Sequence, residues 1–510
     1  MLKKNLSLFQ ACRSSSNFVS AAGFDQHTGN KDFAKKVAIV EDKIALTYDQ
    51  LNKKIGQYTA LLHSKYGLQK GDRLLSRTSK SVETLALYLA TLRLGAVYVP
   101  LNPGYTDQET SHFDAEPKIL ITLNIESDRH FQEKLPYVVD EFNLQYEASN
   151  FTPELENECV SGDDVASMVY TSGTTGLPKG AMITHSGLAS NAEALVDCWR
   201  FSQDDVLLHT LPFYHIHGMF VSLNCTFFSR STAIFRPKFD VEDVMYWLPK
   251  STVFMGVPTF YSRLLKSDKI SFMNLKNIRL FVSGSAPLSM ALWDEFYKQT
   301  GHKILERYGM SETLIITSNP YEEHLRKPGS VGVPVPGCQV RISDNGIIEC
   351  KSTSLFKGYW KLPEKTKKEF TEDGFFVTGD VGKFDEDGQL YILGRDKDMI
   401  ISGGLNIYPK QIEDVLDSMD SVKESAVIGV PHPDFGEVGI AICVPNNFAT
   451  DKEILATNVL REAKQKLSNY KVPKKVIIAE NLPRNSMGKV QKKELREEYK
   501  NLFQSNQVVA

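Results

Sequence analysis

Residues 166–186 read ASMVYTSGTTGLPKGAMITHS, and the rest of the chain is organised around this stretch. Ser172, Gly173, Thr174, Thr175 and Gly176 carry small side chains or none, and Lys179 and Gly180 follow. The apolar flanks, Met168-Val169-Tyr170 and Ala181-Met182-Ile183, predict short strands entering and leaving a loop. Glycines let a backbone approach a ligand closely. Hydroxyls such as those of Thr171 and Ser172, together with free amides, donate to phosphate oxygens, and Lys179 adds positive charge. This is phosphate-binding chemistry, and ATP is the expected ligand. The spacing is not that of a Walker loop, because Lys precedes Gly here and a strand is expected to follow.

A chain of 510 residues is too long for one core and predicts two to four domains. Hydrophobic content of 42%, charged content of 24% and a net charge of -3 describe an ordinary globular protein with no basic excess for nucleic acid. The longest apolar run, Leu85 to Val99, is broken by Arg93 and is too short to span a membrane. Seven scattered cysteines include no CxxC pair and predict free thiols in a reducing compartment. The first 24 residues hold Lys3, Lys4, Arg13, five serines and no acid, a composition shared with mitochondrial transit peptides. The reading adopted is a surface helix of a cytoplasmic protein.

Strand-like and helix-like segments alternate over residues 36–150. A hairpin is expected at 37–40 and 44–46, with Thr47 capping a helix over 48–66. A strand at 72–75, a helix over 81–94 and a strand at 97–99 come next. This order predicts an α/β fold with doubly wound, largely parallel sheets. Further on stands LPFYHIHGMF, 211–220. On a strand His215 and His217 would share a face, an arrangement also open to metal ligation. No third His or Cys lies nearby at ligand spacing, so a neutral His lining a pocket is the reading adopted. RLFVSGSAPL, 279–288, predicts a strand ending in a tight turn where open α/β sheets bind ligands. In ERYGMSET, 306–313, Tyr308 offers a flat face to a base, Ser311 can reach a phosphate, and Glu312 offers the hard oxygen that Mg2+ prefers. In TGD, Asp380 can accept from ribose hydroxyls, with Arg395 in reach of the same sugar. The acidic run 385–388 lacks calcium-loop spacing and reads as a hairpin turn. Beyond residue 396 the texture becomes a small α+β unit, with helices at 411–417 and 452–467 and strands at 425–429, 441–444 and 476–478.

TSGTTGLPKG, LPFYHIHG, SGSAPL, RYGMSE, TGD and the 482–495 stretch together resemble the adenylate-forming superfamily, which includes acyl-CoA synthetases and stand-alone adenylation domains. The resemblance runs from about residue 35 to 495. It implies a large N-terminal domain, 1–396, and a small mobile C-terminal domain, 397–510. It also implies ATP, Mg2+ and coenzyme A as reactants and cofactors. Gly284, Ser285, Ala286 and Pro287 occupy the positions of the adenine-binding turn, with Arg307 and Gly309 in the next motif. His215 marks the floor of the carboxylate site, and Lys397 stands at the hinge. Ser402-Gly403-Gly404 resembles the loop that meets nucleotide or coenzyme A. Lys489 matches the catalytic lysine. Two half-reactions are implied: a carboxylate attacks the α-phosphate of ATP, and a thiol then displaces AMP after the C-terminal domain rotates.

Arg263, at the end of VPTFYSR, points to the acid. Aimed inward, an arginine is costly without an anion, and a second substrate carboxylate would supply one. Ser283 would add a hydroxyl, and Met310 would shorten the pocket. Within the superfamily, these motifs and the PKFD at 237–240 resemble the malonyl-CoA synthetase branch. The expected substrate is therefore malonate, with methylmalonate tolerated, since one methyl is worth only about 1–3 kcal/mol. Alternatives are a synthetase for another short or medium acid, an adenylation enzyme loading a carrier protein, and a catalytically silent nucleotide-binding relative.

Overall fold

Strand formation in this chain follows its apolar runs, and four sheets result. The structure is a computed structural model describing residues 17–24, 31–105, 110, 114–172, 178–267, 269–403, 405–447, 451–485 and 488–503. A seven-stranded sheet has Val97–Pro100 as its middle strand, followed by the parallel strands Arg73–Arg77 and Ile119–Thr122. At one side it adds the antiparallel hairpin Val165–Ser172 and Pro178–Thr184. A nine-stranded sheet runs parallel through Thr232–Phe235, Val206–His209, Val253–Gly256, Leu280–Ser283 and Leu305–Met310. Mixed sheets with helical crossovers are the α/β architecture expected. A four-stranded antiparallel sheet ends in Phe376–Phe384 and Leu390–Arg395, and a five-stranded sheet forms the core of the C-terminal part.

The early hairpin pairs Val37–Glu41 with Ile44–Thr47, and Thr47 closes a capping box with Gln50 at the start of helix Tyr48–Ser64. Helix Val82–Arg93 begins at N-cap Ser81. Arg93, the residue that interrupts the apolar run, is fully buried. It donates to Asn157 Oδ1 (3.1 Å), the Glu154 carbonyl (3.2 Å) and the Phe24 carbonyl (2.8 Å), which offsets the cost of burying its charge. Among the described residues no helix is long and apolar enough to cross a membrane.

The C-terminal strands run well past the expected bounds, to Val422–His432 and Gly436–Pro445. The physical reason is burial on both faces. Val427 and Ala441 pack into one apolar cluster, while Ala426, Ile428 and Val430 pack into another, so no polar alternation marks the ends. A second difference concerns His215 and His217. They stand on no strand; a π-helical turn, His217–Leu223, begins at the second of them.

Candidate active site

The hairpin of the opening motif sets Thr171 opposite Lys179. Lys179 Nζ lies 4.3 Å from the centre of the Tyr359 ring, and burial lowers its pKa from the ordinary lysine value. Glu312 stands beside them, only 6% exposed. Its Oε1 accepts from the Tyr359 hydroxyl at 2.9 Å and from Thr171 Oγ1 at 3.4 Å. No cation among the described residues forms an ion pair with this buried carboxylate. A hard, buried oxygen donor with only the Lys179 charge nearby and no contact ion pair fits Mg2+, with the remaining ligands coming from nucleotide and water. Gly173, Thr174 and Thr175 lie outside the described residues, as does the side chain of Ser172.

Strand Leu280–Ser283 ends in the Gly284–Pro287 turn, and Ser289 then caps helix Met290–Thr300 by accepting from Leu292 N at 3.2 Å. Gly284 lies against Arg307: a Cβ there would stand 2.4 Å from Arg307 Cζ and force the guanidinium to shift. Ser285 has φ +69°, a left-handed conformation costing about 1–3 kcal/mol for a residue with a side chain. Its hydroxyl is 3.1 Å from His217 Nδ1. Asp380 and Arg395 are register partners on adjacent strands, and Arg395 Nε lies 3.1 Å from Asp380 Oδ1. The Tyr308 hydroxyl donates to Asp380 Oδ2 at 2.5 Å. Both carboxylate oxygens are thus oriented before any ribose arrives, and each keeps a lone pair for it.

Lys489 reaches the same cleft. Its loop is closed by an Arg484–Val490 bridge, and Asn485 Oδ1 accepts from Lys489 N at 2.9 Å. Gly488, at φ +73°, abuts the 258–265 helix, where an added Cβ would come 3.2 Å from Thr259. The Lys489 side chain keeps a face open to the cleft. The protein packed around it still lowers its pKa, by desolvation first and then by the positive charge of Arg395. The cleft is about 2100 Å³ and gathers Lys179, His215, Ser285, Glu312, Asp380 and Lys489 on its walls. Ala286, Pro287, Gly309, Met310 and Ser311 also face it, as does Lys397 in the single turn Asp396–Asp398.

Three of the expected site residues stand off this cleft. Arg263 lies on the wall of a second cavity, which it shares with Thr259 and with Asn485 and Gly488 of the lysine loop. It is exposed, its guanidinium is 5.6 Å from the Phe239 ring centre, and this adjoining cavity is about 640 Å³. Helix 258–265 turns Tyr261 and Leu264 inward, which leaves position 263 on the outer face. Ser283 does not join it: it is fully buried, lines neither space, and its hydroxyl has no partner among the described residues. Gly403 is also absent from the cleft wall; its N–H donates to the Phe435 carbonyl at 3.0 Å. Gly404 lies outside the described residues.

A further cation, Arg307, is buried on the wall of the cleft itself. It is 4% exposed, its Nε and Nη2 have no partner among the described residues, and burial lowers its pKa to about 10. Beside it Glu306 is pushed up to about 7 by burial, and its Oε2 is equally unpartnered. His215, held near 4 by desolvation, is neutral and has a bare Nε2. The sequence placed Arg307 with the nucleotide motif. Its signal for another role was a charge set within the buried strand run LERYGM.

Comparison with known proteins follows the same outline. The AMP-binding enzyme family matches residues 26–360, and the AMP-binding enzyme C-terminal domain matches 411–489. A malonate–CoA ligase of Arabidopsis thaliana is 34% identical over 97% of this chain and 91% of its own length. A long-chain-fatty-acid–CoA ligase of Bacillus subtilis is 30% identical over 94% of this chain and 93% of its own. The crystal structure of ATP-bound MatB from Rhodopseudomonas palustris superposes with a TM-score of 0.90 at 44% identity, covering 96% of this chain and all of that one.

Proposed function

Because the chain belongs to the AMP-binding enzyme family, we propose that it is an ATP-dependent malonate–CoA ligase forming malonyl-AMP and then malonyl-CoA. The observation that carries the reaction class is the meeting of Lys179, Glu312, Asp380 and Lys489 on one cleft. The observation that favours a diacid is Arg307. A buried guanidinium with unpaired donors costs several kcal/mol unless an anion completes it, and a second substrate carboxylate would do so. The Arabidopsis relative supports the same choice.

In the first step a carboxylate oxygen attacks the α-phosphorus, a P–O bond forms, and the bond to pyrophosphate breaks. An anion is driven onto a polyanion, so alignment and charge neutralisation dominate the barrier. Lys489 bridges the attacking oxygen and the α-phosphate, while Lys179 and the loop before it hold the outer phosphates. Asp380 and Arg395 fix the ribose, and Tyr308 lies along the base. Mg2+ held by Glu312 would supply neutralisation of the triphosphate. In the second step the thiol sulfur attacks the acyl carbon, the bond to AMP breaks, and the thiol proton leaves to solvent. The proposed division places the nucleotide and acyl lobe at 1–396 and the swinging lobe at 397–510, hinged at Lys397. The proposed compartment is the cytosol.

AMP release measured with a panel of acids, with and without coenzyme A, tests the proposal. Release that needs both malonate and the thiol is expected. Equal release with monocarboxylates of any length would overturn the choice of acid, and release without a thiol acceptor would overturn the ligase. Methylmalonate is expected as a slower substrate. A second reading, a ligase for longer acids, is favoured by the adjoining 640 Å³ cavity, whose walls include Phe213, Phe239 and Phe260.

A further inference from the structure

His217 is fully buried at the first residue of the π-helical turn, and the proposed chemistry gives it no task. Single π turns recur at functional sites because they re-aim a side chain at the cost of regular bonding. This one is held from behind by a specific set of contacts. Ser222 Oγ donates to the carbonyls of His217 (2.8 Å) and Gly218 (2.9 Å). His209 Nε2 lies 2.9 Å from the Gly218 carbonyl, and Lys80 Nζ donates to the His209 carbonyl at 3.0 Å. Gly218 fits because its missing Cβ would stand 2.1 Å from the Pro212 carbonyl oxygen. The imidazole is therefore immobilised, and the one bond it makes forward is to Ser285, at 3.1 Å.

Ser285 is where such a bond matters. It lies in the left-handed region at φ +69° without being glycine, and its neighbour Gly284 lies against the Arg307 guanidinium. A strained residue persists where its surroundings over-determine it, and such residues cluster at functional sites. The turn also packs against Arg307 at Gly284, and both Ser285 and Arg307 line the cleft. We propose that His217 is a positioning residue: it locks Ser285 in its strained conformation and so sets the shape of the acid pocket at Arg307. His215 keeps the place on the wall next to the reacting carboxylate.

This inference rests on the malonate reading, so its test has two arms. In the first, His217→Leu removes the bond, and His217→Asn keeps a donor near the Nδ1 position. His217→Leu should raise the malonate KM about tenfold or more with Tm little changed, and His217→Asn should restore it to within about threefold. An unchanged malonate KM in His217→Leu, or Asn behaving no better than Leu, would overturn it. In the second arm, crystal structures of the two variants are read at Ser285. Departure from positive φ in Leu but not Asn is expected, and Ser285 unmoved in Leu overturns the proposal even if malonate proves not to be the substrate. Wild-type protein inactive with malonate sinks the functional reading alone, and the crystallographic arm still decides the role of His217.

Discussion

Asp380 and Arg307 are both buried charges of one cleft, and their surroundings treat them in opposite ways. Asp380 is met on one oxygen by Arg395 and on the other by Tyr308. Glu312, in the same half, takes two hydroxyls. On the proposed acid side Arg307, Glu306 and His215 all present polar atoms that nothing among the described residues satisfies. The nucleotide half is finished before ligand arrives, whereas the acid half is left incomplete. Preorganised groups lower a barrier without reorganising, and unsatisfied buried groups bind tightly only the ligand that satisfies them. Generality toward the nucleotide and selectivity toward the acid follow from this difference.

The largest effect that sharpens the contrast comes from the lysine serving neither half alone. Lys489→Ala should cut adenylation by about 10³-fold while thioester formation from supplied malonyl-AMP changes only a few-fold. Equal loss in both steps would deny the division of labour between lobes. Next, Arg307→Met should raise the malonate KM about 100-fold without lowering Tm, since it removes a buried charge that lacks a partner in the empty protein. A fall in Tm with KM unmoved would mean that the acid half is already complete. Glu306 gives the pH-dependent test. Its folded pKa of about 7 lies above the ordinary 4.5, so the folded protein holds a proton that the unfolded chain has released. Stability should then fall as pH rises from about 4.5 to 7, by up to roughly 2–3 kcal/mol. Glu306→Gln should accordingly raise Tm by a few degrees at pH 8 and by less at pH 5; the opposite order would place a cation on Glu306. The smallest effect is expected from Arg263→Ala, at most about tenfold in malonate kcat/KM, as for a rim charge. A loss matching that of Arg307→Met would return Arg263 to the acid site and erase the comparison.

What was legible in the sequence follows the same division. Lys179, Glu312 and Asp380 sit in short motifs where local chemistry, a turn or a hairpin, does the positioning, and all three face the cleft. The early hairpin, its cap at Thr47 and helix Val82–Arg93 were equally local. That Arg263 lines the adjoining cavity rather than the main cleft was not legible, because the face a helical residue presents depends on what packs against Tyr261 and Leu264, not on its neighbours in sequence. Arg307 lines the same cleft as Tyr308, and the unpartnered state of its buried Nε and Nη2 depends on long-range packing that carries no signature in the sequence. The π-helical turn at His217 carries no periodic signal that a pattern of apolar residues could reveal.

Gly488 rests on Thr259, and Thr259 belongs to the same short helix that presents Arg263 to the neighbouring cavity. One small strut is thus at once the seat of the lysine loop and a wall of the chamber beside it. A ligand in that chamber would touch the helix and Gly488 together, so its bulk would be felt where the lysine is seated. Bulk and reactivity would then be read through a single mechanical joint.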